Sequence, residues 1–183
     1  MTKHETLLSI DIDWVMSPRD SKALLEVLIP IFKKTKFKKI VIGQSHREIS
    51  KLVDTLVSPV YCVNVDHHHD IQYIPSEPLE AGFLSGNWLG HYMKSGRIKG
   101  CTWIANYDSA FNRYQDWRKD FVLLNNDILD TRLDINAVSD FEYDYFFMCR
   151  SFHNHFEGNW TALQTFDSIE VILKNLQNDK SKR

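Results

Sequence analysis

A chain of 183 residues with 43% hydrophobic and 25% charged side chains fits one compact domain with a real core, and excludes wholesale disorder and a membrane-embedded protein. Its 22 basic and 24 acidic side chains leave a net charge of −2, without the basic excess that phosphate contacts to a nucleic acid demand. Two departures from average remain, an aromatic content of 13% and eight histidines beside those acids.

In chain order, short β-branched or aromatic runs recur at Leu7–Ile12, Lys39–Gly43, Val60–Val65, Cys101–Ala105, Phe121–Leu124 and Tyr145–Cys149. Continuous apolar runs of this length suit strands buried on both faces. Between them lie stretches of helical period. Ser21–Phe32 places Leu24, Leu25, Leu28, Ile31 and Phe32 on one face, with Ser17-Pro18 as cap and first-turn pair. Ser45–Leu56 repeats the pattern with Ile49, Leu52, Val53 and Leu56; Phe83–Met93 is a more aromatic helix, and a last one spans about Asn159 to Leu176. Strand–helix alternation predicts an α/β fold of three layers, a mostly parallel sheet with helices on both faces. Residues 1–178 read as a single catalytic domain and 179–183 as a frayed tail. The one proline-rich turn is Pro75–Pro78.

Cys62, Cys101 and Cys149 each sit in an apolar run with no short metal-type spacing, and read as reduced core thiols. The N-terminal MTKHETLLSIDIDW meets acids too early for a signal peptide. No segment approaches the ~18 apolar residues of a membrane span, so the expectation is a cytoplasmic protein with neither a membrane nor a nucleic-acid partner.

In an open α/β sheet, ligand chemistry gathers at the carboxyl ends of the strands. The first run ends in Asp11 and Asp13 (SIDIDW), the second in His46 (VIGQSH), and the third in Asp66, His68 and Asp70 (VDHHHD). In an extended chain alternate residues share a side, which groups Asp11 with Asp13 and Asp66 with His68 and Asp70, and turns His67 and His69 away. If the three strand ends are neighbours, four carboxylates and two imidazoles converge. Their mutual repulsion calls for protons or cations, and two divalent ions match four carboxylates in charge. Without a thiolate this donor set suits Mn²⁺, with Mg²⁺, Fe²⁺ or Zn²⁺ behind it. Such a pair holds a hydroxide at neutral pH and aims it at an electrophilic carbon or phosphorus.

These motifs resemble those of the arginase-like ureohydrolases. SIDID looks like their SxDxD strand end, VDHHHD like their DxHxD motif, VIGQSH like their GGDH element, and Ser85-Gly86-Asn87 like the SGN of the loop that grips the substrate's amino-acid end. In ordinary arginases the SxDxD segment comes last and here it comes first. That permuted order and the small size look most like the compact proteins that include peptide arginases, which convert arginine in ribosomally made precursor peptides to ornithine with release of urea. The resemblance runs to about residue 91.

The resemblance implies one metal held by His46, Asp66, Asp70 and Asp11, and another by Asp66, His68, Asp11 and Asp13. Asp11 and Asp66 would bridge, and Asp70 would also orient the hydroxide. The partner implied is an arginine-containing precursor peptide. Leu89 stands where arginases carry a proton-shuttling histidine, with His91 two residues on; His91 and, after the last strand, His153 or His155 are the candidate acids. Glu80, Glu157 and Glu48 are candidates for the guanidinium-binding carboxylate, and Asn87 either touches substrate or caps a helix. Trp88, Tyr92, Trp103 and Tyr107 serve as core, as a peptide groove or as a homo-oligomer contact. Two alternatives stand beside this reading. Asp66-His67-His68 matches the DHH signature of a manganese phosphoesterase family, whose upstream HxxxDxD lacks its histidine here; the other is a metal-binding interaction module without catalysis.

Overall fold

The structure, a computed structural model, describes residues 4–71, 82–107, 129–150 and 159–181, with side chains left out at 129 and 177–181. Six strands, β1 (Thr6–Asp11), β2 (Lys39–Gly43), β3 (Val60–Asp66), β4 (Ile98–Ala105), β5 (Leu129–Arg132) and β6 (Tyr145–Cys149), form one sheet in the order β2-β6-β1-β3-β4-β5. Every paired neighbour runs parallel. Helices α1 (Pro18–Lys34), α2 (Ser50–Val53), α3 (Trp88–Lys94) and α4 (Trp160–Ser181) complete the described elements, with short 3₁₀ turns at Ile12–Trp14, His46–Ile49 and Ile135–Asp140.

The helices cover both sheet faces, as the alternation of elements predicts. Leu24, Leu28 and Phe32 of α1 and Phe166, Ile169 and Leu173 of α4 share one core with Leu8, Ile10, Val63, Val65 and Phe146. On the opposite face Leu52 and Val53 of α2 and Trp88, Leu89 and Tyr92 of α3 pack on Leu7, Cys62, Cys101 and Phe147. Alternate strand residues thus feed two cores, which is why the strands read as unbroken apolar runs.

Local signals account for most boundaries. Ser17 caps α1, its hydroxyl accepting from Asp20 N at 3.2 Å, with Pro18 in the first turn and Lys33 and Lys34 in the last. Pro30 lies inside α1 on its exposed face, where water can take up the carbonyl its missing N–H leaves free. Asn159 caps α4, Oδ1 accepting from Ala162 N at 3.1 Å.

Several expectations need correction. The helix read over Ser45–Leu56 is a 3₁₀ turn followed by the single turn of α2; its apolar residues Ile49, Leu52 and Val53 still reach the core. The Phe83–Met93 helix begins only at Trp88. β5, with sequence LDTR, was not legible as a strand, because it lies at a sheet edge and lacks the apolar run of the others. α4 continues to Ser181, past the expected end near Leu176, since no glycine or proline stops it. Phe121–Leu124 and Pro75–Pro78 lie outside the described residues. Of the roles open to the four aromatic residues, Trp88, Trp103 and Tyr92 take the core, and Tyr107 alone of the four is exposed. No helix among the described residues is long and apolar enough to cross a membrane.

Candidate metal centre

From β1 the chain crosses over α1 to β2 on one side, then returns over α2 to β3 on the other. β1 is therefore the switch point of the sheet, where strand order opens a crevice at the carboxyl ends. Ile10 pairs with Val65 on one flank, and Asp11 with Cys149 on the other, so Asp11 and Asp66 leave adjacent strands side by side.

β2 is not a neighbour of β1, because β6 lies between them. His46 reaches the centre by crossing over the end of β6. Gly43 permits that path, since a Cβ there would stand 3.0 Å from Glu48 Cβ, too close for the turn to fold back over the strand end. The His46 ring lies stacked on Phe147 at 5.7 Å and is also in contact with the Trp88 ring.

All six residues singled out from the strand ends meet here. His46 Nδ1 stands 2.6 Å from Asp70 Oδ2, 3.3 Å from Asp11 Oδ2 and 3.5 Å from Asp66 Oδ2. His68 Nδ1 stands 3.0 Å from Asp13 Oδ2 and 3.9 Å from Asp66 Oδ1. His46 and the four aspartates are each at most 4% exposed. Two sets of donor atoms, one from His46, Asp66 and Asp70 and one from Asp13, Asp66 and His68, are each close enough together to hold a metal ion, and Asp66 belongs to both.

Simple alternation along an extended chain does not create this convergence. Asp11 ends β1 and accepts from Asp13 N at 3.2 Å, winding the chain into the 3₁₀ turn that carries Asp13. Asparagine amides secure that turn, Asn106 on Trp14 O and Asn159 on Val15 O, both at 2.8 Å. After β3, Asp66 Oδ1 accepts from His68 N at 2.7 Å, and Asp13 Oδ1 from His67 N at 3.2 Å. Asp70 then turns back through φ 53°, a left-handed conformation that aspartate tolerates better than most residues and that clusters at functional sites.

Two indoles fix the acids, and nothing in the sequence reading assigned them that task. Trp88 Nε1 donates to Asp70 Oδ2 at 2.6 Å, and Trp103 Nε1 to the Asp66 carbonyl at 2.9 Å. The Asp70 carbonyl also accepts from Leu89 N and Gly90 N at the start of α3. Trp88→Phe keeps the ring and removes the donor on Asp70. Metal affinity should fall by roughly 10–100-fold, the usual effect of losing a hydrogen bond behind a ligand, as read by calorimetric Mn²⁺ titration; unchanged affinity would show that Asp70 needs no such support.

Electrostatics mark the cluster as short of positive charge. Burial, reinforced by Asp13 and Asp70, pushes the Asp11 carboxyl up to about 7 against the pull of His46. Burial and the charges of Asp70, Asp13 and Asp11 push Asp66 well above the carboxylate range. For Asp13 burial pushes upward too, but the hydrogen bond and charge of His68 outweigh it and hold the acid low. Burial opposes charging of His46 and His68, yet Asp70 and Asp11 raise the first, and Asp13 raises the second to about 9. Asp13 Oδ2 is buried and faces His68 Nδ1 at 3.0 Å. Four buried carboxylates against two imidazoles still leave an excess of negative charge that fits a cation.

His67 and His69 stay out of the donor sets, as expected. His69 Nδ1 accepts from Ile71 N at 3.1 Å, its ring lies edge-on to Trp103, and burial drives it down to about 4. Asn87 is fully buried, accepting from Leu84 N at 2.8 Å and donating to Gly82 O at 2.9 Å. These bonds tie it to its own loop, where a substrate contact was one of its two expected roles. His91 Nε2 donates to Gly82 O at 2.8 Å beside Phe83. Glu48 is occupied by Gln44 N and Lys51 at the surface. Glu80, His153, His155 and Glu157 lie outside the described residues.

Sequence reasoning also missed Cys149. It is a buried free thiol, as expected, but it ends β6 inside the centre, where its sulfur and donor atoms of Asp11 and His46 lie within 4.8 Å of one another. Compared with family models, characterised proteins and solved structures, the chain matches none.

Proposed function

We propose that this protein is a dinuclear metal hydrolase of the ureohydrolase kind, converting arginine within a ribosomally made peptide to ornithine and urea. The observation that carries the proposal is the sharing of Asp66 between two adjoining donor sets at the strand ends. Two Mn²⁺ ions suit the carboxylates and imidazoles, one on His46, Asp66, Asp70 and Asp11 and the other on Asp66, His68, Asp11 and Asp13. When bound, such ions supply Lewis acidity and a water lowered to hydroxide at neutral pH.

The remaining roles belong to the chain. Asp70, anchored by Trp88, orients the attacking water through its carboxylate. Attack at the guanidinium carbon breaks its bond to the side-chain nitrogen, which leaves as an amine once protonated. His91 and His155 are the candidate donors of that proton, and Glu80 and Glu157 the candidate carboxylates for the guanidinium. The motif order and small size shared with peptide arginases support a peptide over free arginine.

Mass spectrometry of an arginine-bearing peptide incubated with the Mn²⁺-loaded protein tests this. The expected product is lighter by ~42 Da, the loss that accompanies hydrolytic release of urea. Urea released far faster from free arginine would overturn the peptide assignment. Phosphate released from a phosphodiester without any urea would replace a ureohydrolase with a phosphoesterase.

A further inference from the structure

We infer that Cys149 is a seventh metal donor, its Sγ joining Asp11 and His46 on the ion at the β6 side of the centre. The inference rests on the metal-binding reading above and changes which metal that reading favours.

Three observations carry it. The first is position. Cys149 is the last residue of β6, paired in register with Asp11 on one side and Gly43 on the other. It occupies the strand end that His46 must cross to reach the carboxylates, so the topology that brings His46 in also brings the sulfur in. The second is donor geometry. Sγ and the donor atoms of Asp11 and His46 form a third compact set, and Asp11 and His46 already stand 3.3 Å apart. The third is charge: the adjoining donor set of His46, Asp66 and Asp70 shares His46 with this one, and four buried aspartates face it, an imbalance that calls for a cation.

Cys62 and Cys101 offer a built-in contrast. They face each other across β3 and β4 at mid-strand, inside the apolar core on the α2–α3 face, and belong to none of the donor sets. Burial is common to all three cysteines, so burial does not single out Cys149. Its neighbours do.

A thiolate alters the ligand chemistry. On binding, the Sγ–H bond is exchanged for a bond from sulfur to the metal, and the proton leaves to solvent. Thiolate donors favour Zn²⁺, Co²⁺ and Fe²⁺ over Mn²⁺ and Mg²⁺. The two positions then differ in kind. The His68 side, with carboxylate and imidazole donors alone, keeps its preference for Mn²⁺, while the His46 side prefers a softer ion.

Cobalt titration of the full-length protein tests this in wild type, Cys149→Ser and Cys149→Ala. Visible d–d bands report binding, and a sulfur-to-cobalt charge-transfer band in the near ultraviolet reports the thiolate. The expected result is both bands in wild type, and in each variant retention of the d–d bands with loss of the charge-transfer band. Should the variants fail to fold, X-ray absorption on wild type loaded with Zn²⁺ decides alone, through a sulfur neighbour at ~2.3 Å. Cobalt bound without any sulfur signal would overturn the role of Cys149 and leave the metal centre standing. No cobalt bound at all would overturn both.

Discussion

Replacing Asp66 with alanine should abolish metal binding, and with it the proposed hydrolysis, because one carboxylate serves both donor sets. Loss of a ligand should exceed the roughly 10–100-fold effect of losing a partner behind a ligand. Asp66 is completely buried, and its side chain also accepts from His68 N and Asn64 Nδ2. Alanine therefore leaves buried donors unpaired, at about 1–3 kcal/mol each. Asp66→Asn separates the two effects. It keeps the shape and one acceptor oxygen while removing the charge that burial and three neighbouring carboxylates oppose. The metal-free asparagine variant should melt at or above wild type, yet show no midpoint shift when Mn²⁺ is added. Wild-type Mn²⁺ affinity in either variant, measured by calorimetry, would refute the site.

Metal removal should also give the protein a pH dependence that metal then reverses. His68 is held up to about 9 in the folded chain against 6.5 for a free imidazole. Its contribution to stability is thus complete below pH 6.5 and is lost as pH rises through about 9. His46 and Asp66, both raised, act in the same direction. Asp11 has lost its contribution by about pH 7. Asp13, whose folded value is lowered, acts only in acid. His69 opposes the trend, but only below pH 6.5, where its folded value near 4 disfavours the proton that the unfolded chain takes up.

Between pH 6.5 and 9 the signs therefore agree. The chelator-treated protein should lose on the order of 3 kcal/mol from His68 alone, held at about 9 against 6.5, with His46 and Asp66 adding to the fall. That corresponds to a fall of roughly 6–12 °C in melting midpoint for a chain of this size. With saturating Mn²⁺ the stabilisation should instead grow over the same range, because protons and cations compete for the same imidazoles and carboxylates. At about 100 times the dissociation constant it amounts to ~2.7 kcal/mol. A metal-free midpoint that rises from pH 6.5 to 9 would contradict the charge distribution described above.

Much of the fold was legible because parallel strands buried on both faces leave an unmistakable pattern. Five of the six strands of the sheet coincide with apolar runs, and α1 begins at the serine and proline that cap it. What failed did so for local reasons. β5 is a polar edge strand, so no alternation or apolar run announces it. The Ser45–Leu56 helix keeps its apolar face but breaks into tighter turns as His46 is drawn toward the carboxylates.

The sequence by itself determined the residue types of the centre. Asp11, Asp13, His46, Asp66, His68 and Asp70 could be picked out because acids and histidines at the carboxyl ends of buried strands have no packing reason to be there. Only the tertiary structure decided how they meet and what else joins them. Strand order depends on which way each crossover returns, and no local period records it. With β6 inserted between β1 and β2, His46 has to arch over a third strand end, and Cys149 enters a donor set that looked free of sulfur. The same holds for Trp88, whose place in the chain suggested a substrate loop or core packing. The start of α3 lies against Asp70, whose carbonyl accepts from Leu89 N and Gly90 N, and so brings the indole N–H to the Asp70 carboxylate, because a buried carboxylate needs a donor.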